Sequence, residues 1–495
     1  MRIPFPDRVN PTHALIFATI LAAVQVFEGT DPFFAGCVFC FILVATVAFN
    51  FTGGLVYPSG AFVFFNALFT IVLPCVVKAV LRQPADSNLR SPLRTVEVYL
   101  CGMVAMLAAA AFSRRFRPRK AFIENMLPKE SLRAAYIGSA VLSIFFGFYL
   151  TYFPNVGAGS FSSFLQQANR FPVLTFVLGV VYTIHRTGGR RSISIPLLCM
   201  IIFTSLNGLL SFSKELFLTP FFAWAITAAL YQYRLHWINL VSFSVGLYLV
   251  VTFMVPYAAF GRSYVIPGVS PVGVSVYLLT HMDEVREGYA EAFILPPNVR
   301  FYDQNLGLLS RLEVFSVDDA LVDVTDREGA FGYQPLILAL ANGIPHFLWP
   351  GKPVVFFGND YAHEIGVLGD SDDSTGVSFS PSADAYHEGR LVGVLIVEPL
   401  VLMLIFLVLD SVIGNVRLNP VGLLTTILVS RAASEGALFG NISIIEQYLF
   451  TNVLVSWVCA YVLPVIGSAF TKPRSSGNGT PPAPASPLLH PVTSL

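Results

Sequence analysis

The chain has 495 residues with equal numbers of acidic and basic groups, and its mean hydropathy is +0.67. Charged residues make up 12% of it, about half the fraction of a typical soluble domain, which argues against a soluble fold and predicts many transmembrane helices. Segment 262–388 carries 18 acidic and 6 basic residues. Without a concentrated basic face, nucleic acid is excluded as an expected partner.

Apolar runs along the chain predict about twelve membrane-spanning helices, each long enough for a hydrocarbon core of about 30 Å. They lie at about 13–28, 33–51, 60–81, 95–113, 134–153, 171–185, 192–212, 215–233, 236–257, 390–411, 419–438 and 442–468. Because lipid does not tolerate open loops or sheet edges, the expected fold is an all-α polytopic membrane protein. Short helices, some of them on the membrane face, are expected in the one long loop.

The same pattern divides the chain into four parts. We predict an N-terminal bundle of about nine helices at 1–257, a long loop at 258–389, about three C-terminal helices at 390–470 and a tail at 471–495. The tail is rich in Pro, Ser and Gly, and its few apolar residues predict disorder.

Basic residues set the predicted orientation of the helices. The densest basic loop, at 114–120, is placed in the cytoplasm, and alternation then puts the long loop outside and the tail in the cytoplasm. One loop disagrees, because Arg82, Arg90 and Arg94 fall outside under this count. Either these arginines bind an anionic group outside, or a span near the N-terminus is miscounted; we favour the external placement.

Ionisable residues inside predicted spans are costly unless they are paired or face a wet cavity. Glu398 lies in the span that follows the long loop, and Arg431 and Glu435 share the next span at i,i+4 spacing. Two such residues lie on one helix face. They either neutralise each other or line a substrate channel.

The long loop concentrates polar and aromatic residues between positions 341 and 393. Three prolines stiffen the backbone around Trp349, and Lys352 lies between two of them, which fixes one cation in a rigid turn. Trp349 by itself is an ordinary residue of the membrane interface. Arg262, just beyond the ninth predicted span, carries a guanidinium that either grips a phosphate bidentately or anchors the helix at the interface.

The segment from Asp384 to Arg390 is the strongest candidate site, because it ends where the chain returns to the membrane. His387 can take a proton from a hydroxyl, as can a neighbouring carboxylate such as Asp384 or Glu388. Arg390 can hold a phosphate. The alternative is a solvated polar turn that caps the next helix.

No cofactor and no metal are expected. The acidic group Asp370, Asp372 and Asp373 lacks the spacing of a calcium-binding loop and is predicted to be a solvated turn. Motifs of nucleotide-driven pumps, zinc proteases and serine hydrolases are absent from the sequence.

Two segments of the loop resemble the oligosaccharide repeat-unit polymerases of bacterial O-antigen and exopolysaccharide assembly. The first, Ile344-Pro-His-Phe-Leu-Trp-Pro-Gly-Lys-Pro353, is similar to the family pattern I-P-R-x-L-W-P-x-K-P. The second, Ser380-Pro-Ser-Ala-Asp384-Ala-Tyr386 followed by Gly393, is similar to S-P-x-x-x-E-x-Y-x-x-F-G-x-x-G. His346 stands where the family usually has arginine, Asp384 where it often has glutamate, and Arg390 where it usually has glycine.

The resemblance implies a glycosyltransferase of GT-C-like architecture in the bacterial cytoplasmic membrane. Its substrate would be an oligosaccharide on undecaprenyl pyrophosphate, transferred at the outer face onto another lipid-linked unit without a nucleotide or a metal. Membrane lipid, a flippase and a chain-length regulator of the same pathway are the implied partners. The implied roles are proton transfer by Asp384, His387 or Glu388, pyrophosphate binding by Arg262, His346, Lys352 and Arg390, and sugar binding by Trp349 and Tyr386.

Two other functions are compatible with the sequence. An O-antigen ligase or another GT-C-type glycosyltransferase would use similar chemistry, and Glu28 and Asp31 provide acids in the first external loop. A lipid-linked oligosaccharide flippase also needs about twelve helices with buried charges. A flippase, however, gives no reason for a loop of this length.

Overall fold

The computed structural model is helical throughout its described residues, where Phe379 and Gly436 form an isolated parallel bridge and no strand occurs. It describes residues 4–152, 169–234, 237–263, 271–292, 300–304, 306, 309–342, 344, 349, 351, 356–373 and 375–470. The predicted disordered tail lies outside these residues.

Nine helices form the N-terminal half of the described chain. They are α1 Pro11–Phe27, α2 Pro32–Thr52, α3 Pro58–Leu81, α4 Pro92–Phe116, α5 Leu132–Tyr152, α6 Phe171–Arg186, α7 Ile195–Leu210, α8 Lys214–Leu230 and α9 at 237–263. Helices α3 and α9 each contain a wider π-type turn.

The rest of the described chain consists of short helices in the long loop and longer ones after it. They are α10 Pro271–Thr280, α11 Met282–Ala292, α12 Leu309–Leu312, α13 Phe315–Glu328, α14 Gln334–Asn342, α15 Phe357–Glu364, α16 Pro381–Val392, α17 Glu398–Val412, α18 Leu423–Glu435, α19 Ala437–Trp457 and α20 Leu463–Ala469.

Six helical stretches are long and apolar enough to cross a membrane: Pro32–Thr52, Pro58–Leu81, Pro92–Phe116, Leu132–Tyr149, Pro381–Val412 and Leu449–Ala469. Shorter apolar helices occur at Pro11–Phe27, Phe171–Arg186, Ile195–Leu210 and Leu216–Leu230. The predicted class, an all-α polytopic membrane protein, is confirmed. The count of twelve spans, the topology of the long loop and the GT-C-like architecture stay predictions.

Proline begins many of these helices, for a local reason. Its fixed φ suits the first helical position, where an amide hydrogen would have no partner inside the helix. The residue before it then caps the helix, as Asp31 does for α2, where its carboxylate accepts hydrogen bonds from the amides of Phe33 and Phe34.

The long loop is packed onto the helical bundle. Phe315, at the start of α13, is fully buried between Phe34 of α2 and Tyr99 of α4, with ring centroids 5.9 and 5.0 Å away. Asn88, between α3 and α4, donates a hydrogen bond to Asp303 of the loop. The segment that contains Arg82, Arg90 and Arg94 therefore lies on the same face of the bundle as the loop, and its placement outside the membrane stays a prediction.

The longest apolar stretch, Pro381–Val412, folds back on itself. Its helix breaks at Gly389 and Arg390, where Arg390 has φ 52° and ψ −145°. Two contacts join the segment before this break to the segment after it. The Ser382 hydroxyl donates to Glu398 at 2.9 Å, and a Cβ on Gly393 would lie 1.9 Å from the carbonyl oxygen of Ala385. The two arms are therefore antiparallel and in backbone contact, which requires glycine at 393.

The first arm of this hairpin lies deep in the bundle. Ser382 packs against Gly102, ten residues from the start of α4, or about 15 Å along that helix. Pro381 to Glu388 are all buried. The alternative that this segment is a solvated polar turn is therefore wrong, because protein covers its polar groups on every side.

Buried aspartates from the long loop cap the helices it covers. Asp319 of α13 accepts hydrogen bonds from the Ser91 amide and the Thr95 hydroxyl at the start of α4, at 3.1 and 2.8 Å. Its neighbour Asp318 accepts from the Ser380 amide at the start of α16, at 3.0 Å, and from the Tyr99 hydroxyl at 2.6 Å. Helix N-termini leave unpaired amides, and these carboxylates satisfy them.

We expect Asp318→Asn to flatten the pH dependence of thermal stability. Burial raises the pKa of Asp318 to about 7, whereas the unfolded chain has a pKa of about 4. The folded state then binds more protons between these values, so stability is greatest below about pH 4 and falls as the pH rises towards 7. Asparagine keeps an acceptor for Ser380 and does not ionise.

Thermal unfolding in detergent between pH 4.5 and 8 measures this effect, with Asp323→Asn, a partly exposed acid on the same helix, as the matched control. Equal slopes for wild type and Asp318→Asn would contradict the prediction.

Candidate functional site

Helix α16 brings four of the predicted site residues into one buried place. Asp384, Tyr386, His387 and Glu388 are each no more than 3% exposed. The arm is held by α4, α13, α17 and α19, and by residues 331–332, whose amides donate to the carbonyl oxygens of His387 and Glu388. A polar sequence is stable here because neighbouring helices supply its partners.

Asp384 makes a structural contact. One of its carboxylate oxygens accepts hydrogen bonds from the amides of Leu438 and Phe439, at 2.7 and 3.2 Å, in the first turn of α19. The Ala437 amide is paired with the Phe379 carbonyl at 2.8 Å. Asp384 therefore caps a helix that begins inside the bundle, where water is not available to satisfy these amides. Its predicted role in proton transfer stays a prediction.

Two glutamates near Asp384 have carboxylate oxygens without a hydrogen-bond partner in the described part of the chain. They are both oxygens of Glu388, and the oxygen of Glu398 that does not accept from Ser382. Both residues are at most 1% exposed, and both interact electrostatically with Asp384.

His387 is held between the loop and the membrane helices. Its Nδ1 lies 2.8 Å from the Thr325 hydroxyl, and its Nε2 lies 3.2 Å from a carboxylate oxygen of Glu364. The rings of Phe331 and Tyr361 flank the imidazole, with centroids 5.2 and 4.6 Å away. These contacts leave the ring one orientation. Burial raises the pKa of Tyr361, so its hydroxyl stays neutral.

The hydrogen bonds around His387 determine where its proton lies. The Thr325 hydroxyl donates to the Leu321 carbonyl at 2.7 Å, so it accepts from Nδ1, and Nδ1 carries a hydrogen. The remaining nitrogen, Nε2, carries a lone pair and faces Glu364 at 3.2 Å, without a hydrogen bond between them. Burial, together with Glu328 and Asp360, raises the pKa of Glu364. If the Glu364 carboxyl takes up a proton, Nε2 is the acceptor that lies nearest to hand.

Glu364 connects this buried pair to the surface, because its side chain is 32% exposed while that of His387 is 3% exposed. Solvent can therefore reach Glu364 and cannot reach His387. A general acid–base group with a buried partner would have this arrangement.

Arg390 lies at the tip of the hairpin. Its guanidinium donates to the Thr325 carbonyl at 3.2 Å, so Thr325 contacts both Arg390 and His387. Arg390 is exposed, and the chain after it exposes apolar side chains that include Leu391 and Val392. The cation is therefore placed beside a lipid-facing surface.

A second arginine lies close to Arg390. Arg94, in the first turn of α4, contacts Asp326 at 3.4 Å and Glu97 at 2.8 Å, and the Tyr386 hydroxyl donates to the same Asp326. Both arginines interact electrostatically with that hydroxyl. The Arg94 and Asp326 side chains are 43% and 35% exposed, and an ion pair this exposed contributes about 0–1 kcal/mol.

The other predicted residues are not brought to this site by the described structure. His346 and Lys352 lie outside the described residues, as does the side chain of Arg262. Trp349 is described and is 42% exposed. Their predicted roles in pyrophosphate and sugar binding stay predictions.

Sequence reasoning did not assign a role to Glu364, Thr325 or Asp326. No motif identifies them, because they meet His387, Arg390 and Tyr386 only through the folding of the loop. Arg94 did give a signal, since its positive charge disagreed with the predicted topology. Among the described residues, no three potential metal ligands lie close enough to hold an ion.

Comparison with family models, with curated proteins and with solved structures finds no match to this chain.

We expect Asp384→Ala to destabilise the protein by about 1–3 kcal/mol, because it removes a helix cap and leaves two buried amides unpaired. Asp384→Asn should restore most of this stability, since its amide oxygen can accept the same bonds. Thermal unfolding in detergent measures both. If Asp384→Asn is as unstable as Asp384→Ala, the carboxylate charge, and not the cap, is what matters.

Proposed function

We propose that this protein is a membrane glycosyltransferase that polymerises oligosaccharide repeat units linked to undecaprenyl pyrophosphate. The observation that carries the proposal is the contact of His387 with both Glu364 and Thr325, beside the exposed cation of Arg390. It combines a group for taking a proton with a group for holding an anion. Glycosyl transfer from a sugar diphosphate needs both.

In this reaction Arg390, Glu364 and His387 each have one role. The acceptor hydroxyl oxygen forms a bond to the anomeric carbon of the donor sugar, and the bond from that carbon to the diphosphate breaks. The electron pair leaves with the diphosphate, whose charge Arg390 stabilises. The hydroxyl proton passes to Glu364, which is accessible, and Nε2 of His387 accepts a hydrogen bond from the protonated carboxyl.

Glu364 suits the role of base better than Asp384. Asp384 is fully buried and its carboxylate is engaged with the start of α19, so a sugar could not approach it without opening the bundle. Glu364 is partly exposed and its pKa is raised, which brings it closer to the operating pH of a general base.

The environment of the site suits a lipid-linked substrate. Apolar side chains on α14 and on the turn that precedes α17 are exposed, among them Ile337, Leu340, Leu395 and Ile396. A lipid chain could lie against such a surface while its head group reaches Arg390. The proposal includes location in the bacterial cytoplasmic membrane with the loop outside, and a flippase and a chain-length regulator as partners.

Transport of a lipid-linked glycan is the second candidate. It is favoured by the helix breaks at Gly389–Arg390 and Gly436–Ala437, since broken helices form the substrate sites of many transporters. A ligase would use the same chemistry with another acceptor, and the described residues do not distinguish it from a polymerase.

We expect Glu364→Gln to reduce glycan polymerisation about 10²–10⁴-fold, because glutamine cannot take the acceptor proton. Lipid-linked glycan from a strain lacking the protein, complemented with each variant, is separated by size. Single repeat units should accumulate with Glu364→Gln, while Asp370→Asn, an exposed acid six residues further along the same loop, should give full-length chains.

Full-length chains from Glu364→Gln would overturn the assignment of the base. Long chains that remain on the carrier in the deletion strain would identify a ligase, and single units trapped on the cytoplasmic side would identify a transporter.

A further inference from the structure

The contact of Arg94 with Asp326 joins the bundle to the loop in front of the candidate site. Arg94 belongs to α4 and Asp326 to α13, and their 3.4 Å contact is shared with the Tyr386 hydroxyl, which donates to the other oxygen of Asp326. One carboxylate thus lies between a guanidinium and a phenol. These two donors would equally suit an oxygen of a phosphate group.

We propose that Arg94 and Arg390 form a binding site for a lipid with a diphosphate head group, and that Asp326 is a resident carboxylate which the diphosphate displaces. The inference rests on the proposed function for the identity of the lipid as the glycan carrier. It adds Arg94 to the site as a ligand of the diphosphate, and Asp326 as a carboxylate that competes with the diphosphate for Arg94.

The position of the two arginines supports a head-group site. Arg94 follows Leu93, which is 41% exposed, and Arg390 precedes Leu391, which is 39% exposed. Each cation therefore has an exposed apolar side chain beside it in the sequence. Arg94 contacts Asp326, and Arg390 donates to the carbonyl oxygen of the neighbouring residue Thr325, so both cations lie against the same turn of α13.

The charges explain why the resident carboxylate is replaceable. Asp326 offers one negative charge to Arg94 in a partly exposed pair that solvent screens. A diphosphate carries more charge and more acceptor oxygens, and it can engage both arginines at once, in the bidentate geometry that guanidinium groups favour. Asp326 would then turn towards solvent.

Asp326 also satisfies the two donors that the diphosphate would use. With Asp326 in place, Arg94 and the Tyr386 hydroxyl both have a partner, although Tyr386 is 3% exposed and could not reach water easily. Removing the charge of Asp326 should release Nε of Arg94, while Nη1 stays bonded to Glu97. A variant without this charge should therefore bind the lipid more tightly than wild type.

The test uses the full chain in nanodiscs of neutral phosphatidylcholine, with a fifteen-carbon prenyl diphosphate as the probe and its Kd as the measurement. We expect Arg94→Ala and Arg390→Ala each to raise the Kd at least tenfold. Asp326→Asn should lower it several-fold, a gain that misfolding cannot produce. Arg327→Ala, which removes an exposed cation next to Asp326, should leave it unchanged.

Other outcomes would overturn the proposal. An unchanged or raised Kd for Asp326→Asn would exclude the exchange, and an Arg94→Ala variant that binds like Arg327→Ala would exclude Arg94. Equal affinity for inorganic diphosphate would exclude a lipid site, and full competition by phosphatidylglycerol would make it a site for bulk anionic lipid.

The binding measurement is independent of the proposed function. A wild-type protein that binds prenyl diphosphate but does not polymerise glycan would keep the site and overturn the function. If the wild-type protein polymerises glycan but Asp326→Asn shows no gain in affinity, the proposed function stands and the displacement of Asp326 is excluded.

Discussion

Backbone amides at the start of a helix must find acceptors, and inside a membrane protein water does not supply them. This chain meets that demand with aspartates from distant segments. Asp319 caps α4, Asp318 caps α16 and Asp384 caps α19. Asp410, at the far end of α17, does the same for α3 by accepting from the Ser59 amide and hydroxyl. The acidic excess of the long loop is thus partly a means of attaching it to the bundle.

These caps also define the candidate site. Because Asp318 holds the start of α16 and Asp384 holds the start of α19, the arm that carries His387 is fixed against α13 and α15. Thr325 and Glu364 then reach the two nitrogens of its imidazole. Asp384 is occupied as a helix cap, whereas the partly exposed acid beside His387, Glu364, comes from a helix of eight residues.

The helical class could be predicted from the sequence, since hydropathy is a local property, and motif spacing could single out segment 384–390 as a candidate site. Its burial could not be predicted. The polar sequence from Ser382 to Glu388 indicates a loop, and only the break at Gly389 and Arg390 folds it back into the bundle. Which carboxylate is accessible depends on tertiary packing, so the sequence favoured Asp384 over Glu364. The one early sign was Arg94, whose charge disagreed with the expected topology because it faces the loop.

Release of the lipid carrier tests the central claim most directly. Purified protein in liposomes, supplied with lipid-linked repeat units, is assayed for free undecaprenyl pyrophosphate and for glycosidic bonds formed. Glycosyl transfer at the His387–Glu364 pair predicts one carrier released for each bond, in the absence of any nucleotide. Movement of intact lipid-linked units between the leaflets, with no carrier released, would contradict this account and identify a transporter.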